Sequence, residues 1–318
     1  MKNTKFYLQA AMLLLPAFLS AQNVIPEPTQ YRPAKGQFVL TAAETKAFEA
    51  QDVLPGRVVQ YVISGSTPMD ADEAYHLKIT PDSVFIQSAT ATGAFRGKET
   101  LKQLLRSGKG TAKACVINDA PRYAWRGFML DESRHFFGKK KVKQLLDIMA
   151  SLRLNVFHWH LTDEPGWRIE IKKYPLLTQI GAKGNWHDPD APATFYTQDD
   201  IKEIVAYAAA RYIMVVPEFD MPGHATAACR AYPELSGGGE GRWKDFTFHP
   251  CKEETFRFIS DVLDELITLF PSPYIHIGGD EVHFGNQEWF TDPQIQQFIK
   301  DKQLMNETGL EQYFVRRV

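Results

Sequence analysis

The chain has 318 residues, 44% hydrophobic and 23% charged, which permits a packed globular core and excludes disorder and collagen-like repeats. Lys and Arg total 36 against 38 Asp and Glu, so no basic field opposes a phosphate backbone and no nucleic-acid partner is expected. The length suits one large or two medium domains.

At the start, Lys2 and Lys5 precede an apolar stretch to Leu19, and small residues Ser20 and Ala21 follow. Residues 1–21 therefore read as a secretory signal peptide, which places the mature protein in the periplasm or outside the cell. A membrane-anchoring helix fits less well, because the apolar run is short of the ~20 residues a span needs and contains Pro16. No cysteine follows the cleavage site for lipid attachment, and no later segment has the length of a membrane span. Cys115, Cys229 and Cys251 match no zinc or redox spacing; Cys229 and Cys251 flank one loop-rich stretch and are a candidate disulfide, with three inert thiols as the alternative.

Residues 22–119 read as a small α+β accessory domain. Tyr75, Leu77 and Ile79 alternate, Pro81, Asp82 and Ser83 make a turn, and Val84, Phe85 and Ile86 resume, which predicts a hairpin over 75–88. A helix follows with Phe95, Leu101, Leu104 and Leu105 on one face, stopped by the sequence SGKG at 107–110.

From about residue 120 the rhythm becomes buried strand, amphipathic helix, buried strand, the pattern of a parallel sheet covered by helices. Strands are predicted over 125–131, 155–160, 213–216 and 274–277. The helices between them are marked by Val142, Leu145, Leu146, Met149 and Leu152, by Ile201, Ile204, Val205 and Ala208, and by Phe256, Ile259, Leu263, Leu266 and Phe270. The first two strands are spaced like units of a (β/α)8 TIM barrel, ~250 residues in eight repeats. The surplus in the later repeats falls at 161–197 and 219–251, between strand and helix, where barrel enzymes carry their sites.

Polar residues gather just after these strands: Asp131 and Arg134, then His158, His160 and Asp163, then Glu218, Asp220 and His224, then Asp280 and Glu281. The last cluster, HIGGDEVHFG at 276–285, has two glycines that free the backbone and then adjacent carboxylates. Most glycosidases need carboxylates ~5–9 Å apart across the scissile bond, so immediate neighbours suit a different division of labour. One protonates the leaving oxygen while the other orients a substrate group that is itself the nucleophile.

HIGGDEV, taken with DESRHFF (131–137), FHWHLTDEPGWR (157–168) and PEFDMPGHA (217–225), resembles glycoside hydrolase family 20, the β-N-acetylhexosaminidases. The resemblance covers about 121–318, and 23–119 is less specifically similar to the small domain that precedes the barrel in that family. It implies an exo-acting, retaining enzyme that removes terminal β-linked N-acetylglucosamine or N-acetylgalactosamine through an oxazolinium ion, with a carbohydrate partner and neither cofactor nor metal. It makes Glu281 the general acid and Asp280 the residue that holds the 2-acetamido N–H. It gives Arg134 the hydroxyls of the terminal sugar. Asp163 and His224 stand behind the acid, with Asp220 and His160 as further support, and His158 and Trp159 as packing.

The family builds the rest of its sugar pocket from later strands, whereas this sequence ends in EQYFVRRV with no cap, Gly or Pro. The expectation is a chain cut after about four βα units, lacking strands five to eight and poorly folded and inactive as it stands. Two rivals remain. His158, His160, Glu218, Asp220 and His224 also compose a metal-dependent TIM-barrel hydrolase, and a non-catalytic sugar-binding homologue needs no acid at all.

Overall fold

The computed structural model describes residues 24–62 and 73–318 and divides the chain into two compact units, 1–121 and 122–318. The expected signal segment lies outside the described residues. No described helix is long and apolar enough to cross a membrane.

The first unit has the order β1 (Gln30–Val39), α1 (Ala42–Gln51), β2 (Val58–Val62), β3 (Tyr75–Ile79), β4 (Val84–Ser88), α2 (Ala91–Ser107) and β5 (Thr111–Asp119). Its sheet runs β1-β5-β3-β4-β2, antiparallel except for the parallel β2 and β4. The predicted hairpin is present, with Leu77 opposite Ile86. Alternation buries Tyr75, Leu77, Ile79, Val84 and Ile86 on one face, where Leu101, Leu104 and Leu105 of α2 close the core. Gly97 permits that close approach, because a β-carbon there would come within 2.7 Å of the Ile86 side chain. Phe95 is only half-buried; Ala94 holds the inward position instead.

The second unit starts with β6 (Gly127–Asp131), α3 (Lys139–Ser151), β7 (Val156–His160), α4 (Gln198–Ala209) and β8 (Met214–Glu218). It continues with α5 (Thr226–Ala231), α6 (Glu253–Leu269), α7 (Gln287–Thr291), α8 (Pro293–Asp301) and α9 (Glu307–Arg317). Strands β6, β7 and β8 form a parallel sheet in that order, the βα arrangement of one side of a TIM barrel. The predicted fourth strand is reduced to one parallel bridge, Glu218 with His276. The reason is local: Gly278 and Gly279 take φ of +66° and +106°, which turns the chain out of the extended region directly after the bridge.

Helix α4 begins in a capping box between Thr197 and Asp200 and buries Ile201, Ile204 and Ala208. In the first turn of α3, the Lys139 ammonium reaches Asp200 and Glu203 of α4, both at 2.7 Å. The three cysteines are free, so the candidate Cys229–Cys251 bridge is absent, and the buried Cys229 thiol faces the Thr247 carbonyl at 3.8 Å.

Candidate active site

Parallel register sets up the site. Asp131 pairs with His160, His160 with Glu218, and Glu218 with His276, so the last residue of each strand falls on one row at the carboxyl edge. In-register neighbours of parallel strands project to the same face. The row is therefore continuous: His160 Nδ1 lies 2.6 Å from Glu218 Oε2, and His276 Nδ1 lies 3.1 Å from Glu218 Oε1. One pleat deeper, His158 Nε2 reaches Glu218 Oε2 at 2.6 Å. His158 is thus part of a hydrogen-bonded cluster rather than inert packing, while Trp159 is fully buried. Burial raises the Glu218 pKa, but the bonds from His158 and His160 outweigh it and hold the carboxylate ionised.

The loops are pinned by a buried arginine. Arg168 Nη2 donates to the carbonyls of Ser133 and Gly184 and Nη1 to that of Ala182, each at 2.7 Å. This ties the segment after β6 to the 161–197 loop. Arg134, in that segment, donates its backbone N–H to Asp131 Oδ1 at 2.9 Å and its Nη1 to Asp131 Oδ2 at 3.1 Å. The same guanidinium pairs with Asp163.

Asp163 is fully buried and central. One oxygen meets Arg134 and, at 2.7 Å, His160 Nε2; the other meets His224 Nδ1 at 2.9 Å. Burial opposes its ionisation, yet the bonds from His160 and His224 prevail and draw it down to about 2. Burial likewise opposes charge on His160, but Asp163 and Glu218 push it up to about 10. His224 is raised in the same sense, Asp163 overcoming the burial.

The other nitrogen of His224 faces the adjacent carboxylates. Nε2 lies 3.5 Å from Asp280 Oδ2 and 3.5 Å from Glu281 Oε2, and it has no hydrogen-bond partner of its own although buried. The backbone delivers both carboxylates to it: after Gly278 and Gly279, Glu281 itself sits at φ +55°. Asp220 Oδ1 accepts the Gly279 N–H at 3.2 Å, and a β-carbon on Gly278 would fall 1.6 Å from that same oxygen. Only glycine fits at 278.

Burial, against the pull of His224 and aided by the Asp280 carboxylate, pushes the Asp220 carboxyl from 3.8 up to about 7. Because the folded protein holds this proton where an unfolded aspartate has lost it, the carboxyl's contribution to stability is present below about pH 4 and is lost as pH rises through about 7. Asp220→Asn keeps an acceptor for Gly279 and carries no titrating proton. Its thermal midpoint is expected to gain on the wild type by at least about 4 °C between pH 4 and pH 8. Scanning fluorimetry across that range checks this; parallel curves would refute it.

Arg134, Asp163, His160, His224, Asp220, Asp280 and Glu281 thus lie in one connected cluster. A cavity of about 270 Å³ adjoins it, lined by Arg134, His135, Glu164, Trp186, Trp243 and Glu281. Glu164, Trp186 and Trp243 escaped sequence reasoning, since they sit on aperiodic loops; only Glu164, within the DEPGW motif, carried a signal.

Residues 123–318 match the family described as glycosyl hydrolase family 20, catalytic domain, and residues 44–120 match domain 2 of the same family. A beta-hexosaminidase of Porphyromonas gingivalis is 34% identical over 97% of this chain and 45% of its own length. The mouse beta-hexosaminidase subunit alpha is 37% identical over 78% of this chain and 47% of its own. The structure is similar to that of a Vibrio harveyi family 20 exo beta-N-acetylglucosaminidase in complex with N-acetylglucosamine. The TM-score is 0.81 at 32% identity, covering 95% of this chain and 53% of that one. The chain spans about half the length of the curated relatives it matches. With most of its length matched by the catalytic-domain description and its four motifs brought to one strand edge, the chain belongs to glycosyl hydrolase family 20.

Proposed function

We propose that the protein is an exported, exo-acting β-N-acetylhexosaminidase that releases terminal β-linked N-acetylglucosamine or N-acetylgalactosamine with retention, by substrate-assisted catalysis. The observation that carries this reading is the buried Asp163–His224 pair, whose free nitrogen stands 3.5 Å from both Asp280 and Glu281. An imidazole anchored on a buried carboxylate and placed equally behind two adjacent carboxyls can orient both at once. The hexosaminidase names of the relatives and the N-acetylglucosamine complex of the Vibrio harveyi enzyme support the same substrate class.

In this mechanism Asp280 accepts the N–H of the 2-acetamido group and turns its carbonyl oxygen onto C1. That oxygen displaces the leaving group while Glu281 gives its proton to the departing oxygen. Asp280 then stabilises the cationic oxazolinium ring. Glu281, now a carboxylate, takes a proton from water as the water attacks C1 and opens the ring, so two displacements restore the configuration. Arg134, a planar fork of donors, holds hydroxyls of the terminal sugar.

The metal-hydrolase reading has the clustering of donor atoms in its favour: among the described residues four groups, such as His158, Glu218 and His276, hold theirs within 4.8 Å of one another. The hydrogen bond of His158 to the Glu218 carboxylate and the parallel bridge that sets His276 beside it account for that proximity equally well. Turnover of a β-N-acetylglucosaminide, followed by NMR for the first-formed anomer and repeated after chelation, separates the readings. Retention with activity surviving chelation is expected. Inversion or loss on chelation overturns the proposal, and binding without turnover points to the sugar-binding homologue.

A further inference from the structure

We propose, building on the glycosidase reading above, that Glu218 is a positioning residue for the reaction, which holds His160 as a two-ended bridge to Asp163 and through Asp163 fixes His224 behind Asp280 and Glu281. Glu218 stands at the end of β8, buried, and acts only through other side chains.

The bridge follows from which atoms can donate. His160 Nδ1 lies 2.6 Å from Glu218 Oε2, and His160 Nε2 lies 2.7 Å from Asp163 Oδ2. A neutral imidazole carries one N–H, so it can serve only one of two carboxylates; serving both requires the cation. Arg134 Nη1 stands 3.1 Å from the same Nε2, and since a guanidinium has no acceptor, both groups converge as donors on the Asp163 carboxylate. The bridging cation exists because a carboxylate waits at each end. His158 Nε2 meets the same Glu218 oxygen at 2.6 Å and holds it in place.

What the bridge secures is the far side of Asp163. There Oδ1 receives His224 Nδ1 at 2.9 Å and the Glu164 backbone N–H at 2.7 Å, with the Glu164 carboxylate 3.8 Å from the same imidazole nitrogen. Without the His160 cation, Oδ2 would depend on Arg134 alone, the group that the sugar also engages in this reading. Glu218 therefore lets Asp163 keep its grip on His224 while Arg134 turns to the substrate. Its second oxygen lies 3.1 Å from His276 Nδ1, which accepts the Gly278 N–H at 3.1 Å where the chain turns toward Asp280. One buried carboxylate thus stands at the root of both routes to the catalytic pair.

Glu218→Gln tests this by removing charge with little change of shape, because its amide oxygen can still accept from His158 or His160 and its N–H₂ can face His276 Nδ1. It is expected to lower kcat on methyl β-N-acetylglucosaminide at least about fivefold while KM stays within about twofold. In a His224→Asn background, whose shorter side chain can meet Asp163 but does not reach the catalytic carboxyls, the same substitution should change kcat by less than about twofold. His224 sits at φ +54°, a conformation that asparagine tolerates well. Equal losses in both backgrounds, or a loss confined to KM, overturn the inference. Nitrogen-15 NMR of His160 in the wild type supplies a readout that needs neither turnover nor a folded variant: protons on both ring nitrogens at neutral pH are expected, and a single proton there overturns the bridge. A wild type that hydrolyses no N-acetylhexosaminide defeats the glycosidase reading itself, a result distinct from active enzyme with equal losses in the two backgrounds.

Discussion

Asp280→Asn is expected to lower kcat/KM by about 10³-fold on every N-acetylhexosaminide, whatever its leaving group. In the proposed mechanism the carboxylate acts on the ring-forming step, and that step precedes or accompanies every departure. An amide in its place still offers an oxygen to the acetamido N–H but supplies no negative charge to the oxazolinium ion. It also weakens the attraction across the 3.5 Å gap to His224. On the proposed route the nucleophile belongs to the substrate, so its loss of orientation forfeits an intramolecular advantage that can amount to several kcal/mol. A leaving-group series from methyl to dinitrophenyl glycosides measures this directly. A loss confined to one end of the series would contradict the role.

Glu281→Gln should behave differently although it alters the next residue. Loss of the proton donor is expected to reduce kcat/KM about 10²- to 10⁴-fold on methyl or sugar leaving groups, and by less than about tenfold on dinitrophenyl glycosides that depart unaided. Formation of the oxazolinium then proceeds, so its hydrolysis becomes slow and a burst of phenol should precede the steady state. Identical dependence on leaving-group pKa in both variants would show that the two carboxyls do not divide the work. Neither substitution should change stability much, because the Asp280 and Glu281 side chains are 62% and 49% exposed.

Strands β6, β7 and β8 were legible within two residues because their apolar runs are short and separated by helical periods. The polar residues that follow them were legible for the same reason, since register converts position at a strand end into proximity. The fourth strand was misread: Tyr274 to Ile277 has strand composition, yet the glycines behind it bend the chain away after a single bridge. In the first unit β1 and α1 gave no signal, for β1 buries only Phe38 and α1 only Phe48. The partners of Glu218 were only partly legible, since the sequence grouped His158 and His160 with it but not His276. Sequence shows that His158, His160 and His276 exist, but only register brings three imidazoles to one carboxylate. The indoles of Trp186 and Trp243 come from loops 161–197 and 219–251, where no period betrays direction.

Asp163 has two oxygens and three cationic partners, Arg134, His160 and His224. Occupancy and proton affinity are therefore linked quantities. A ligand hydroxyl that draws Arg134 toward itself leaves the carboxylate's charge to the two imidazoles, and both then hold their protons more tightly. By reciprocity, whatever ligation adds to those proton affinities, protonation must return as ligand affinity. Inhibitors that engage Arg134 should accordingly be distinguishable from those that engage only the carboxyl pair by the protons they take up on binding near pH 10, where His160 is partly deprotonated, a quantity that calorimetry in buffers of different ionisation enthalpy reads without any turnover.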